Sequence, residues 1–71
     1  MWRRARLHNY AGPLYKRIFM LIEAYIKQGL LVADERLPSE RRLAQLLEVD
    51  RSTVVHALDE LCEHGILRRK L

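Results

Sequence analysis

Only three residues, Glu48-Val49-Asp50, separate two short amphipathic patterns in this 71-residue chain. Upstream, Leu43, Ala44 and Leu47 recur at the spacing that lines one face of a helix, and Ser39 stands where an N-cap needs a side-chain oxygen. Arg42 takes the third helical position, so the Glu or Gln of a capping box is missing there. Downstream, Val54, Ala57, Leu58 and Leu61 form a second inward stripe from Arg51 to about His64. Asp50 is expected to cap the start of that helix, Gly65 to close it, and Val49 to lie buried under the turn.

A third helical pattern precedes these two. Pro13 suits a first turn, where its missing N–H is not needed. Tyr15, Ile18, Phe19, Ile22 and Ile26 then line one face as far as Gln28, and Gly29 fits a left-handed C-terminus. Leu30 to Leu37 lacks helical spacing and reads as loop plus a short strand near Arg36 and Leu37, ended by Pro38-Ser39. Ile66 to Leu71 begins an extended basic segment. A chain of this length buries only about 60% of its unfolded surface. It has room for three helices around one core and hardly for a deep catalytic pocket. No nucleophile–base pair or carboxylate pair is evident, and Glu40, Glu48, Glu60 and Glu63 read as ordinary helix-surface charges. The chain is therefore expected not to be an enzyme.

Thirteen Lys and Arg against nine Asp and Glu give a formal net charge of +4, a balance that favours polyanionic partners. Cys62 is the single cysteine, without metal-ligand spacing around it, and reads as a small apolar helix residue in a reducing, cytoplasmic setting. His8, His56 and His64 show no metal-pair spacing, so neither metal nor cofactor is expected. No stretch approaches the ~20 apolar residues of a membrane span. The basic start MWRRAR is not followed by a signal-like apolar core.

Two short helices joined by such a turn, the second opening on polar and basic side chains, describe a helix-turn-helix. A helix fits the major groove of DNA and reaches base edges with its first turn, while the preceding helix crosses the backbone. Arg51, Ser52 and Thr53 occupy that first turn; Arg51 suits a guanine or a phosphate, and the hydroxyls suit phosphate or a base edge. At about 100° per residue, Ser52, His56 and Asp59 share an outward stripe with Val55 beside it. Val55 and His56 are thus candidate base-facing positions, or else part of a solvated face. Arg41 and Arg42 open the other helix, where a phosphate could also meet the helix N-terminus.

With these residues in view, the chain resembles the N-terminal domain of the GntR family of bacterial transcription regulators, over about Pro13 to Lys70. The likeness rests on PLYKRI, Gly29-Leu30, LPSERRLAQLLEV, DRSTVVHALDEL and HGILRRK. It implies a mainly α winged helix-turn-helix: three helices, a short strand between the first two, and a β-wing left incomplete after Ile66. It implies sequence-specific binding of double-stranded operator DNA as a homodimer on a palindrome, with an effector ligand held by a separate C-terminal domain. Contacts carry over to Arg41, to Arg51, Ser52 and Thr53, and to the basic wing residues Arg68, Arg69 and Lys70. The chain is accordingly expected to be a fragment of a longer regulator, with weak DNA affinity of its own. The string STVVHAL is similar to members fused to an aminotransferase-like domain, without fixing a subfamily.

Three positions depart from the family pattern. Asp50 stands where Ser or Thr is common and would repel the phosphate those residues touch. Val55 replaces a frequent Arg and removes a guanine reader. Glu48 replaces a frequent Gly, at a cost of order 1 kcal/mol if that residue is left-handed.

Two features remain. Residues 1–12 read as a basic arm, distinct from the domain over 13–71, whose Arg3, Arg4 and Arg6 either reach a flanking minor groove or form a disordered tail. Met20, Leu21 and Tyr25 lie off the inward stripe of the first helix, and Leu46 faces outward on the second. Met20, Leu21 and Tyr25 are a candidate interface for the arm (through Trp2 or Leu7), for a further domain, or for a second subunit. They keep a rival reading open, a winged-helix module for protein contacts or dimerisation without DNA binding.

Overall fold

The computed structural model describes residues 1–31 and 37–68. A 3-10 helix over Arg4–Asn9 leads into α1 (Leu14–Lys27), α2 (Glu40–Leu47) and α3 (Arg51–Glu63). The three helices fall where the hydrophobic spacing places them, with Pro13 one position earlier, as the N-cap of α1. α3 packs against both α1 and α2. The core joins Ile18 and Ile22 of α1, Leu43, Ala44 and Leu47 of α2, and Val54, Ala57, Leu58 and Leu61 of α3.

Each helix ends in the same pair of backbone bonds. Leu30 N–H donates to Tyr25 O and Gly29 N–H to Ile26 O at the end of α1. Ile66 N–H donates to Leu61 O and Gly65 N–H to Cys62 O at the end of α3. Val49 N–H donates to Ala44 O and Glu48 N–H to Gln45 O at the end of α2. This is the Schellman arrangement, which requires one left-handed residue. Gly29 (φ 75°) and Gly65 (φ 71°) supply it without strain, whereas Glu48 takes it at φ 54°. A Cβ in that conformation costs roughly 1–2 kcal/mol.

The described residues are helical or irregular and contain no strand. Leu37 is irregular, and Arg36, the other half of the expected strand, lies outside the described residues. The expected wing strand is likewise absent over Ile66–Arg68, while Arg69, Lys70 and Leu71 lie outside. The physical reason is visible at Ile66 and Leu67. Both turn their N–H groups back onto Leu61 O, at 2.9 and 3.2 Å, and so close α3 instead of opening a ladder.

The N-terminal arm corrects a second expectation. It is no disordered tail: Leu7 is 1% exposed and belongs to the core. Nor do Leu21 and Tyr25 offer a free surface, since both are buried, and Met20 and Leu46 are half-buried. Trp2 meets Tyr25 edge-on with ring centroids 5.3 Å apart, and Tyr25 Oη donates to Met1 O. The arm, one of the three candidate occupants of this flank of α1, packs there through Trp2 and Met1. The buried stripe of α1 therefore runs Ile18, Leu21, Ile22, Tyr25, rotated by about 70° from the stripe centred on Tyr15 and Ile22. Tyr15, Phe19 and Ile26 stay half-buried at its edge.

Candidate nucleic-acid interface

The two helix starts that flank the three-residue turn are built differently. At α2, Ser39 Oγ accepts from Arg42 N–H at 3.1 Å, which closes one of the free N–H groups of the first turn. Glu40 follows, and Arg41 and Arg42 project as exposed side chains. At α3, Asp50 has the extended backbone of an N-cap, and its carbonyl accepts from Thr53 and Val54 N–H at 3.0 and 3.4 Å. Its side chain makes no capping bond, contrary to expectation. The exposed start of α3 thus keeps N–H groups that no side chain of Asp50 covers, and such groups favour an anion.

Arg51 is 65% exposed, and its Nη2 lies 3.6 Å from Glu40 Oε1. That pair ties the first turn of α3 to the first turn of α2. The sequence reading passed over Glu40 as an ordinary surface charge. No spacing rule within one helix links positions 40 and 51, so only the folded turn brings them together. An exposed ion pair contributes little to stability, about 0–1 kcal/mol; this one places the Arg51 guanidinium beside the start of α2. Ser52 is exposed, and Thr53 and Val55 are half-buried.

His56 is exposed over about half its side chain, 52%, but it is not loose. Its ring stacks on Tyr15 of α1, centroids 3.9 Å apart and planes 12° from parallel. Its Nε2 is 3.5 Å from Glu60 Oε1. His64 approaches the other oxygen of Glu60 at 3.6 Å and meets Phe19 edge-on. Pro13, Leu14 and Tyr15 face Ser52, Thr53 and His56 across a shallow, open groove. The start of α1 therefore borders the face of α3 that carries the candidate readers, a neighbourhood not anticipated from spacing.

The turn itself is tied to the arm. Arg4 Nη1 donates to Glu48 O at 2.7 Å, so this arginine is engaged on the protein in the structure. Arg3 and Arg6 are exposed. Arg68 is exposed where α3 has ended, and Arg69 and Lys70 fall outside the described residues. Cys62 is a half-buried free thiol. Among the described residues no group of three His, Cys, Asp or Glu could hold a metal, and no helix is long and apolar enough to cross a membrane.

Two helices set by a three-residue turn, the second opening on exposed Arg51 and Ser52, define a helix-turn-helix domain. Residues 14–71 match the family described as bacterial regulatory proteins, gntR family, and the chain belongs to that family. It is 38% identical over 66 residues to the uncharacterized HTH-type transcriptional regulator YisV of Bacillus subtilis, covering 93% of this chain and 13% of that protein. It is 40% identical over 57 residues to the HTH-type transcriptional repressor NagR of Bacillus subtilis, covering 80% and 24%. It is 35% identical over 65 residues to the histidine utilization repressor of Pseudomonas aeruginosa, covering 92% and 26%. The chain thus spans between about an eighth and a quarter of the length of these relatives. No solved structure is significantly similar to it.

Proposed function

We propose that the chain is the sequence-reading domain of a transcription repressor and inserts α3 into the major groove of double-stranded operator DNA. The observation that carries this reading is the open start of α3. Arg51 and Ser52 stand exposed there, Asp50 leaves the first turn without a side-chain cap, and Glu40 holds the Arg51 guanidinium. Arg51 reads a guanine edge, Ser52 and Thr53 bond phosphate or base edges, and Arg41 and Arg42 neutralise the flanking backbone. Val55 and His56 face the bases farther along the helix. Val55 suits a thymine methyl, and His56 suits a hydrogen-bonding edge.

The finer assignment follows the family. The regulator acts as a dimer on a two-fold operator, and Arg68, Arg69 and Lys70 neutralise phosphates beside the groove. An effector ligand binds a further domain, in keeping with the small share of the relatives' length that this chain spans. Two of the relatives are named as repressors, and repression is the proposed outcome here. The protein-contact alternative rests on Met20, Leu21 and Tyr25, of which Leu21 and Tyr25 are buried and Met20 is half-buried.

The test is selection from a randomised duplex library, followed by titration of the selected site at two salt concentrations. Log affinity is expected to fall linearly with log salt as phosphates are neutralised. Arg42→Ala is expected to weaken all sequences about equally, and Arg51→Ala to erase preference at one base pair in each half-site. Salt-independent binding, or none to any duplex, defeats the reading.

A further inference from the structure

We infer that Tyr15, although it lies on α1, fixes the ring of His56 so that one edge of that imidazole discriminates a single base pair. This rests on reading α3 as the groove helix. A half-exposed histidine on a helix surface ordinarily samples several rotamers, and a ring that turns freely discriminates poorly because hydrogen bonds to base edges are directional. Two contacts remove that freedom here. Tyr15 covers one ring face, with centroids 3.9 Å apart and planes 12° from parallel. Glu60 Oε1 faces Nε2 at 3.5 Å. With one face covered and Nε2 beside Glu60, the ring keeps one orientation while about half of the side chain, 52%, stays open to a partner outside the protein.

The surroundings support the same use. The groove beside the stack is walled by Pro13, Leu14 and Tyr15 on α1 and by Ser52, Thr53 and His56 on α3. Ser52 and His56 are four residues apart and so share a helix face, which aligns the positioned imidazole with the first-turn readers. Stacking that served only to pack α1 on α3 would not need the outermost residue of the pair to be half-exposed on the reading face. Tyr15 is thus a positioning residue. It orients His56, and His56 makes the contact.

The test compares base-preference profiles from the randomised library for the wild-type chain, Tyr15→Leu, Tyr15→Phe, His56→Ala and the Tyr15→Leu/His56→Ala pair. Tyr15→Leu and His56→Ala are each expected to lose about fivefold or more discrimination at the same base pair, with the preferences at the other base pairs retained. Tyr15→Phe keeps the ring and restores the wild-type profile. The double variant loses no more than His56→Ala alone. His56→Ala lies at an exposed position and reports even if Tyr15→Leu does not fold; an unchanged profile there overturns the proposal. So does a Tyr15→Leu profile that weakens evenly at every base pair, the mark of a purely structural stack. A wild-type chain that selects no sequence overturns the groove reading and this proposal together, whereas a selective wild type with an intact Tyr15→Leu profile overturns this proposal alone.

Discussion

The two flanks of α1 do opposite things with the same kind of side chain. On one flank, Leu21 and Tyr25 are buried, Trp2 of the arm meets Tyr25 edge-on, and Leu7 of the arm joins the same core. On the other, Tyr15 and Phe19 hold His56 and His64 of α3 by ring contacts that stay partly open to solvent. Aromatic residues thus serve closure on one side and orientation on the other. On the proposed reading of DNA by α3, the difference assigns stability to one flank of α1 and recognition to the other. Substitutions on the arm flank should unfold the chain without altering what it reads, and substitutions on the α3 flank should do the reverse.

The strongest test of that separation is Leu7→Ala. Leu7 is 1% exposed, and truncating a buried leucine costs about 3 kcal/mol, a large part of the roughly 4–10 kcal/mol that a chain of this size has. Urea denaturation should show the midpoint falling sharply, while the base-preference profile of the folded fraction stays unchanged. A loss below about 1 kcal/mol would mean that the arm is an appendage and the comparison fails.

Arg51→Ala is the counterpart on the reading side. Its exposed pair with Glu40 contributes little, so stability should move by no more than about 0.5 kcal/mol. Binding to the selected duplex should weaken by about 2 kcal/mol, close to thirtyfold, measured by fluorescence anisotropy. A large stability loss with selectivity retained would place Arg51 with the structural residues instead.

The helix-turn-helix was legible in the sequence because its signals are local. Ser39 caps α2, Gly29 and Gly65 close α1 and α3, and the stripes of α2 and α3 recur at helical spacing. The arm was legible only as one of three candidate partners for Met20, Leu21 and Tyr25, because its contacts are not local. Trp2 with Tyr25, and Arg4 with Glu48, join positions 23 and 44 residues apart. A periodic pattern also favours the stripe that is apolar on its own, which centred α1 on Tyr15 and Ile22 and set Leu21 and Tyr25 off the inward face. Leu7 and Trp2, apolar residues within an otherwise basic stretch, are the signal that puts the arm among those candidates. The Asp50 cap failed for another reason. Its residue type favours capping, but the first turn of α3 takes its closing bonds from the Asp50 carbonyl instead.

Glu48 links the two flanks, since its carbonyl accepts from Arg4 of the arm while its backbone ends α2. Glu48→Gly removes the left-handed strain but leaves the carbonyl where it is. Stability should rise by about 1 kcal/mol by thermal or urea unfolding, with Arg4→Ala lowering it in either background to the same extent. Unequal effects of Arg4→Ala in the two backgrounds would show that the strained turn and the arm are energetically one unit, and the separation across α1 would then be incomplete.

The smallest expected effect is a pH dependence confined to the arm flank. Burial pushes the Tyr25 phenol above its ordinary range, the charge of Arg6 draws it back in part, and Tyr10 adds to the rise. A group whose folded value lies above its unfolded value holds its proton more tightly in the folded state. Its contribution to stability is therefore complete below the ordinary tyrosine range and is lost as pH climbs through the raised folded value. The structural cause is direct. Neutral Tyr25 donates to Met1 O, and a phenolate can neither make that bond nor sit comfortably against buried apolar groups. Unfolding measured from neutral pH upward should show stability holding level and then sloping down above about pH 10. Tyr25→Phe should flatten that slope while leaving the DNA profile unchanged. A slope that survives in Tyr25→Phe would assign the alkaline loss to other groups, and a profile that shifts with it would show that the arm flank reaches the reading face.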